Sequence, residues 1–73
     1  MHKLIPLPTD RVLRALQRAG WEVHAGGKHY KLVRVDPPCV LAVPRASPLK
    51  KGTIRAILRQ AGLSPAEFWK LYR

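Results

Sequence analysis

The chain has 73 residues and carries 14 Lys or Arg against 4 Asp or Glu, a formal net charge of +10. That length holds one domain, residues 1–73, with a small core, and the charge points to nucleic-acid phosphate or an acidic protein as partner. A single cysteine, Cys39, excludes an internal disulfide and a zinc site built on paired cysteines, and the longest apolar run, residues 39–43, is far too short to span a bilayer.

Residues 9–19 read as a first helix. Thr9 is its expected N-cap, and Asp10 suits the positive end of the helix dipole. Val12, Leu13, Leu16 and Ala19 form one apolar face, Arg11, Arg14 and Arg18 the opposite one, and Gly20 supplies the stop. Residues 21–25 alternate apolar and polar, as a half-buried strand should. Gly26-Gly27 then offers the backbone freedom for a tight hairpin, and residues 28–35 form a second strand. Asp36-Pro37-Pro38 turns the chain into a third strand, residues 39–43, which Pro44 closes. Cys39 lies in that apolar run and reads as a buried core thiol. Short connections make the three strands antiparallel.

A loop over residues 45–48 leads to a second helix at about 50–61. Ile54, Ile57, Leu58 and Ala61 face inward, Lys51, Arg55 and Arg59 form a basic stripe, and Gly62 stops the helix. Ser64-Pro65-Ala66-Glu67 is a capping box with proline at the first helical position; it opens a short last helix bearing Phe68, Trp69, Leu71 and Tyr72. The order predicts an α+β two-layer sandwich, α-β-β-β-α with a short extra helix, in which both main helices cover one face of the antiparallel sheet. The other face is left to solvent. Residues 1–8 contain neither a long apolar segment nor a small-residue cleavage site, which predicts a cytoplasmic protein without membrane association.

The carboxylates narrow the chemistry. Asp10 and Glu67 stand at helix starts, Asp36 in a turn, and Glu22 alone on the first strand. That dispersal predicts no metal site and no two-carboxylate acid–base pair. No glycine-rich phosphate loop with a following lysine and hydroxyl occurs, and neither Ser47 nor Ser64 has a histidine beside it, so no cofactor is called for. Three histidines remain. His2 reads as incidental and His24 as a solvated strand residue. His29 follows Gly26-Gly27-Lys28 and is flanked by Lys28, Tyr30 and Lys31. A histidine there is either an ordinary surface residue or a general base. The second role needs RNA, whose 2′-hydroxyl is a built-in nucleophile; DNA lacks it.

The chain resembles the HicA-type toxins, small ribonucleases of bacterial toxin–antitoxin pairs. Three segments carry the likeness: Leu16, Ala19, Gly20 and Trp21; Gly27-Lys28-His29; and the run Val43-Pro44-Arg45, Leu49-Lys50-Lys51-Gly52-Thr53-Ile54-Arg55, Ile57-Leu58-Arg59-Gln60-Ala61-Gly62-Leu63-Ser64, ending in Glu67-Phe68. The resemblance implies a fold like a double-stranded-RNA-binding domain, a catalytic histidine at His29, metal-independent cleavage of mRNA, and inactivation by a HicB-type antitoxin covering the active face. Two positions depart from the family pattern. Lys28 stands where a small residue, often serine, is common, and Ala46 lies near the place of a frequent second histidine. The general acid is therefore unassigned, and Lys28, Lys31 and Arg45 are the candidate phosphate clamps. Beside the ribonuclease stand two further readings: a non-catalytic RNA-binding module of the same fold, and an adaptor whose basic face meets an acidic protein.

Overall fold

The computed structural model describes residues 3–72; His2 lies outside them. Six elements follow in the order expected: α1 (Thr9–Arg18), β1 (Glu22–Ala25), β2 (His29–Arg34), β3 (Cys39–Pro44), α2 (Lys51–Ala61) and α3 (Pro65–Tyr72). The strands form one antiparallel sheet in the order β1-β2-β3. In β2 and β3 the side chains of Leu32, Leu41 and Val43 are buried, whereas Lys31, Val40 and Ala42 between them are exposed. With period-two alternation, this puts the helices on one face and leaves the other open.

Both long helices end in the same way. Gly20 has φ 99° and Gly62 φ 73°, the left-handed region that costs an L-residue about 1–2 kcal/mol. The amide of Trp21 then donates to the Leu16 carbonyl and that of Gly20 to Gln17; Leu63 and Gly62 repeat the pattern onto Leu58 and Arg59. The paired bonds cap the last carbonyls, and they turn Trp21 and Leu63 back toward the apolar interior. The sequence Leu-x-x-Ala-Gly-apolar, present at residues 16–21 and 58–63, therefore encodes two helix stops and two core contacts at once.

The start of α1 differs from expectation. Pro8 occupies the N-cap with extended backbone and has no side-chain group to cap the helix; the Thr9 amide donates instead to Ser47 Oγ at 3.4 Å. Thr9 is buried, and its hydroxyl donates instead to the carbonyl of Ala46. A reciprocal backbone pair, Leu7 N to Leu49 O at 3.1 Å and Leu49 N to Leu7 O at 2.8 Å, fastens the same two segments together. Burial supplies the reason. Leu4, Leu7 and Leu49 sit in the core, so the segment before α1 is packed against the loop before α2, and Thr9 takes the acceptor found there.

The last helix forms as its sequence predicts. Ser64 N donates to Glu67 Oε1 and Glu67 N to Ser64 Oγ, both at 3.1 Å. The backbone bond from Ser64 is the main reason the Glu67 carboxyl titrates below its ordinary value of 4.5. Phe68 is fully buried, and Trp69 and Tyr72 cluster around it with ring centroids 5.7 and 5.6 Å away. Arg11 lies over the Tyr72 ring, and Arg18 Nη1 donates to the Leu71 carbonyl at 2.6 Å, so two arginines of α1 grip α3. Cys39 is half-buried rather than enclosed, with Sγ 3.8 Å from the Gln60 carbonyl. It stands at the end of an edge strand, where one flank has no neighbouring strand to cover it.

Candidate active site

His29 is the first residue of β2 and pairs with Pro44 of β3. The β1–β2 register continues Glu22↔Val33, Val23↔Leu32, His24↔Lys31 and Ala25↔Tyr30. Leu32 fixes which side is the core, so Tyr30 and Val23 share the helix side. His29 and Lys31 share the open side with His24 and Glu22. All four are exposed. Thus the sheet gathers an imidazole and an ammonium from β2 with an imidazole and a carboxylate from β1. Within that group His24 Nε2 lies 2.9 Å from Glu22 Oε1.

The hairpin that presents His29 depends on Gly26, though not through left-handed backbone, which neither Gly26 nor Gly27 adopts. Gly26 N donates to the His29 carbonyl at 2.9 Å, and a Cβ on Gly26 would stand 2.6 Å from that oxygen. What the turn requires at Gly26 is the absence of a side chain. Gly27 has open space around it.

The sequence-predicted clamps fall into separate places. Lys31 lies on the open face beside His29. Lys28 is exposed in the turn just before it. Arg45 follows β3 and reaches back across the hairpin: its Nε donates to the Gly26 carbonyl at 3.0 Å, and its guanidinium lies 4.8 Å from the Tyr30 ring centroid. It therefore braces the turn holding His29 from the helix side. The stripe Lys51, Arg55 and Arg59 is exposed on α2 and so belongs to the helix layer, across the sheet from His29.

One residue that ties the two layers together has no local signal in the sequence. Arg34 ends β2 on the helix side, half-buried. Its Nε donates to the Pro37 carbonyl at 3.0 Å, Nη1 to the Ala61 carbonyl at 3.1 Å, and its guanidinium lies 4.6 Å from the Trp21 ring centroid. A cation at the last carbonyls of α2 complements the helix dipole, and the same side chain ties that helix to the β2–β3 turn. The Glu22–His24 pair was also missed, with Glu22 expected to stand alone, although its signal is local: two residues apart on one strand, they must share a face.

No group of three or more His, Cys, Asp or Glu that could hold a metal ion occurs among the described residues. No helix among them is long and apolar enough to cross a membrane. An open antiparallel sheet bearing an exposed histidine and lysine, with two helices on its other face and a third packed against them, defines a small basic α+β domain. The family described as HicA toxin of bacterial toxin-antitoxin matches residues 9–63, and the chain belongs to that family. It is a toxin-type component of a toxin–antitoxin system. No curated protein sequence matches the chain significantly. The family match runs from α1 to Leu63, so Glu67-Phe68 and the rest of α3 lie beyond it. Yet Phe68, Leu4 and Leu7, all outside the match, are core residues; the flanks complete the interior that the matched part leaves unfinished.

Proposed function

We propose that the chain is a metal-independent endoribonuclease, an mRNA interferase, in which His29 removes the proton of an RNA 2′-hydroxyl. The oxygen then attacks the adjacent phosphorus. Lys28 and Lys31 supply positive charge to the phosphate, which accumulates negative charge as the oxygen adds, and Arg45, the third candidate clamp, acts from the helix side by holding the turn. A HicB-type antitoxin neutralises the protein by covering the open face. The observation that carries the reading is the position of His29: exposed, at the mouth of the hairpin, on the solvent side of the sheet beside Lys31, in a chain of the HicA family. An RNA-binding surface needs cations and hydrogen-bond donors; it has no need of a titrating imidazole at that place. The dispersed carboxylates fit the metal-independent form. Asp10 lies in the first turn of α1, Glu67 in its capping box and Glu22 against His24.

The test is cleavage of single-stranded or structured RNA in the presence of EDTA. Products should end in a 2′,3′-cyclic phosphate or a 3′-phosphate. His29→Ala should lower the rate on the order of a hundredfold or more, the contribution of one acid–base group. RNA or antitoxin binding should stay within about tenfold, equivalent to about 1.4 kcal/mol. Activity lost to EDTA and restored by magnesium would refute the mechanism, and full activity in His29→Ala would refute the site. A wild-type protein that binds RNA and never cuts it would instead be the non-catalytic RNA-binding module.

A further inference from the structure

We infer that His24 is the general acid of the cleavage and that Glu22 is its positioning residue. This rests on the ribonuclease reading of His29. In-line displacement at phosphorus needs two proton transfers, one from the attacking 2′-oxygen and one to the departing 5′-oxygen, and the two oxygens stand on opposite sides of the phosphorus. One histidine in one protonation state cannot serve both within a single step. The resemblance to the family leaves the second group unassigned, because Ala46 stands near the place where a second histidine is common.

The sheet register supplies a second group at a suitable spacing. His24 is directly opposite Lys31, and His29 is two residues before Lys31 on the same strand, so the histidines form a diagonal cross-strand pair on the open face. Directly opposed residues stand about 4.5–5.5 Å apart and diagonal ones about 7–8 Å. A phosphate flanked by two hydrogen bonds of about 2.8 Å each cannot fit within the shorter distance and fits the longer one. Lys31 lies at the corner between the two imidazoles, where its ammonium meets the non-bridging oxygens. Tyr30 is on the other side of the sheet beneath Arg45. Among the described strand residues, the titratable groups on the open face are Glu22, His24, His29 and Lys31.

Glu22 adds orientation. Its carboxylate engages His24 Nε2 at 2.9 Å, which holds the ring by one nitrogen and leaves Nδ1 to face a ligand. The side chains remain open to solvent, 53% exposed for His24 and 69% for Glu22, so RNA can reach them. In the step itself His29 accepts the 2′-hydroxyl proton. The 2′-oxygen then bonds to phosphorus, the bond from phosphorus to the 5′-oxygen breaks, and protonated His24 gives its proton to that oxygen. The products are a 2′,3′-cyclic phosphate and a 5′-hydroxyl. His29 ends protonated and His24 neutral, and exchange with water resets both.

The experiment compares two forms of one short RNA: the natural strand, and the strand whose scissile 5′-oxygen is replaced by sulfur. A departing thiolate needs no proton. His24→Ala should cleave the natural RNA about a hundredfold more slowly than wild type, and the deficit should shrink to a few-fold on the sulfur-substituted strand. His29→Ala should be slow on both. Glu22→Gln should lower kcat with little change in KM. The pH–rate profile of His24→Ala should lose its alkaline limb and keep the acidic one. Among the described residues the charged groups facing His24 are Glu22, Lys31 and His29, and β1 is an edge strand with no neighbour beyond it. The assignment falls if His24→Ala cuts natural RNA at the wild-type rate, or if its deficit is equal on both strands. If wild type cuts neither strand, the ribonuclease reading itself fails and takes this assignment with it.

Discussion

A methyl group at residue 26 should disable the protein, whereas the same methyl at residue 27 should not. In Gly26→Ala the new Cβ would stand 2.6 Å from the His29 carbonyl oxygen, and ordinary contact begins at 3.4 Å. The hairpin must therefore open by about 0.8 Å. The obstacle is backbone, so no flexible side chain can yield in its place. Opening stretches the 2.9 Å bond from Gly26 N to His29 O and shifts the Gly26 carbonyl away from Arg45 Nε. Forced backbone shifts of this kind cost about 1–3 kcal/mol. A displacement near 1 Å of a catalytic group lowers rate by about a hundredfold. Gly27→Ala meets nothing within 4 Å and requires no left-handed backbone, so it should be neutral or stabilising by about 0.4–1 kcal/mol through the unfolded chain. Thermal melts and RNA cleavage rates on both variants check this. For a domain of this size each kcal/mol moves Tm by about 4–8 °C, so Gly26→Ala should melt several degrees lower and Gly27→Ala at or above wild type. A Gly26→Ala protein that melts and cuts like wild type, or a Gly27→Ala protein equally impaired, would refute the reasoning.

Arg34→Ala removes two charged hydrogen bonds and a ring contact at a half-buried site and should cost about 2 kcal/mol, read as a fall in Tm; Arg34→Lys should recover little, because an ammonium cannot fork between the Pro37 and Ala61 carbonyls. An unchanged melt in both would contradict the staple. Glu67 has a depressed folded-state pKa, so its contribution is present above the unfolded value of 4.5 and disappears as pH falls through the lower folded value. The stability gap between wild type and Glu67→Gln should therefore narrow in acid, and a gap constant from pH 7 to pH 3 would show that the charge plays no part. Salt titrations of RNA binding locate the phosphate track: Lys28→Ala or Lys31→Ala should each reduce the log–log slope by about 0.7–0.9, whereas Arg45→Ala, on the helix side, should loosen the turn and change the slope little. Slopes that respond only to Lys51, Arg55 and Arg59 would move the RNA to the helix layer.

Local physics wrote much of this protein into its sequence. Helix α3 was legible because Ser64 and Glu67 satisfy each other's amides within four residues, and the stops at Gly20 and Gly62 because only glycine enters left-handed backbone without cost. Strand alternation revealed the layering, and His29 stood out through its turn and its lysines. Thr9 was misread because a cap is a local preference, and burial offered its hydroxyl a different acceptor on a distant loop. The meaning of Gly26 was likewise hidden, since a close approach between backbones cannot be seen in composition.

The sequence by itself determined the elements, their order, the basic surface and the histidine worth testing, all governed by groups a few residues apart. Only the tertiary structure decided the register. Sliding one strand by a single residue sends every side chain to the opposite face, and what fixes it here is the burial of Leu32, Leu41 and Val43 beneath two helices. That choice alone brings His24, from another strand, onto the same face as Lys31 and His29. It also carries Arg34 to a carbonyl 27 residues away. Non-local contacts of this kind arise from the packing of a whole core, and no short window of sequence contains it.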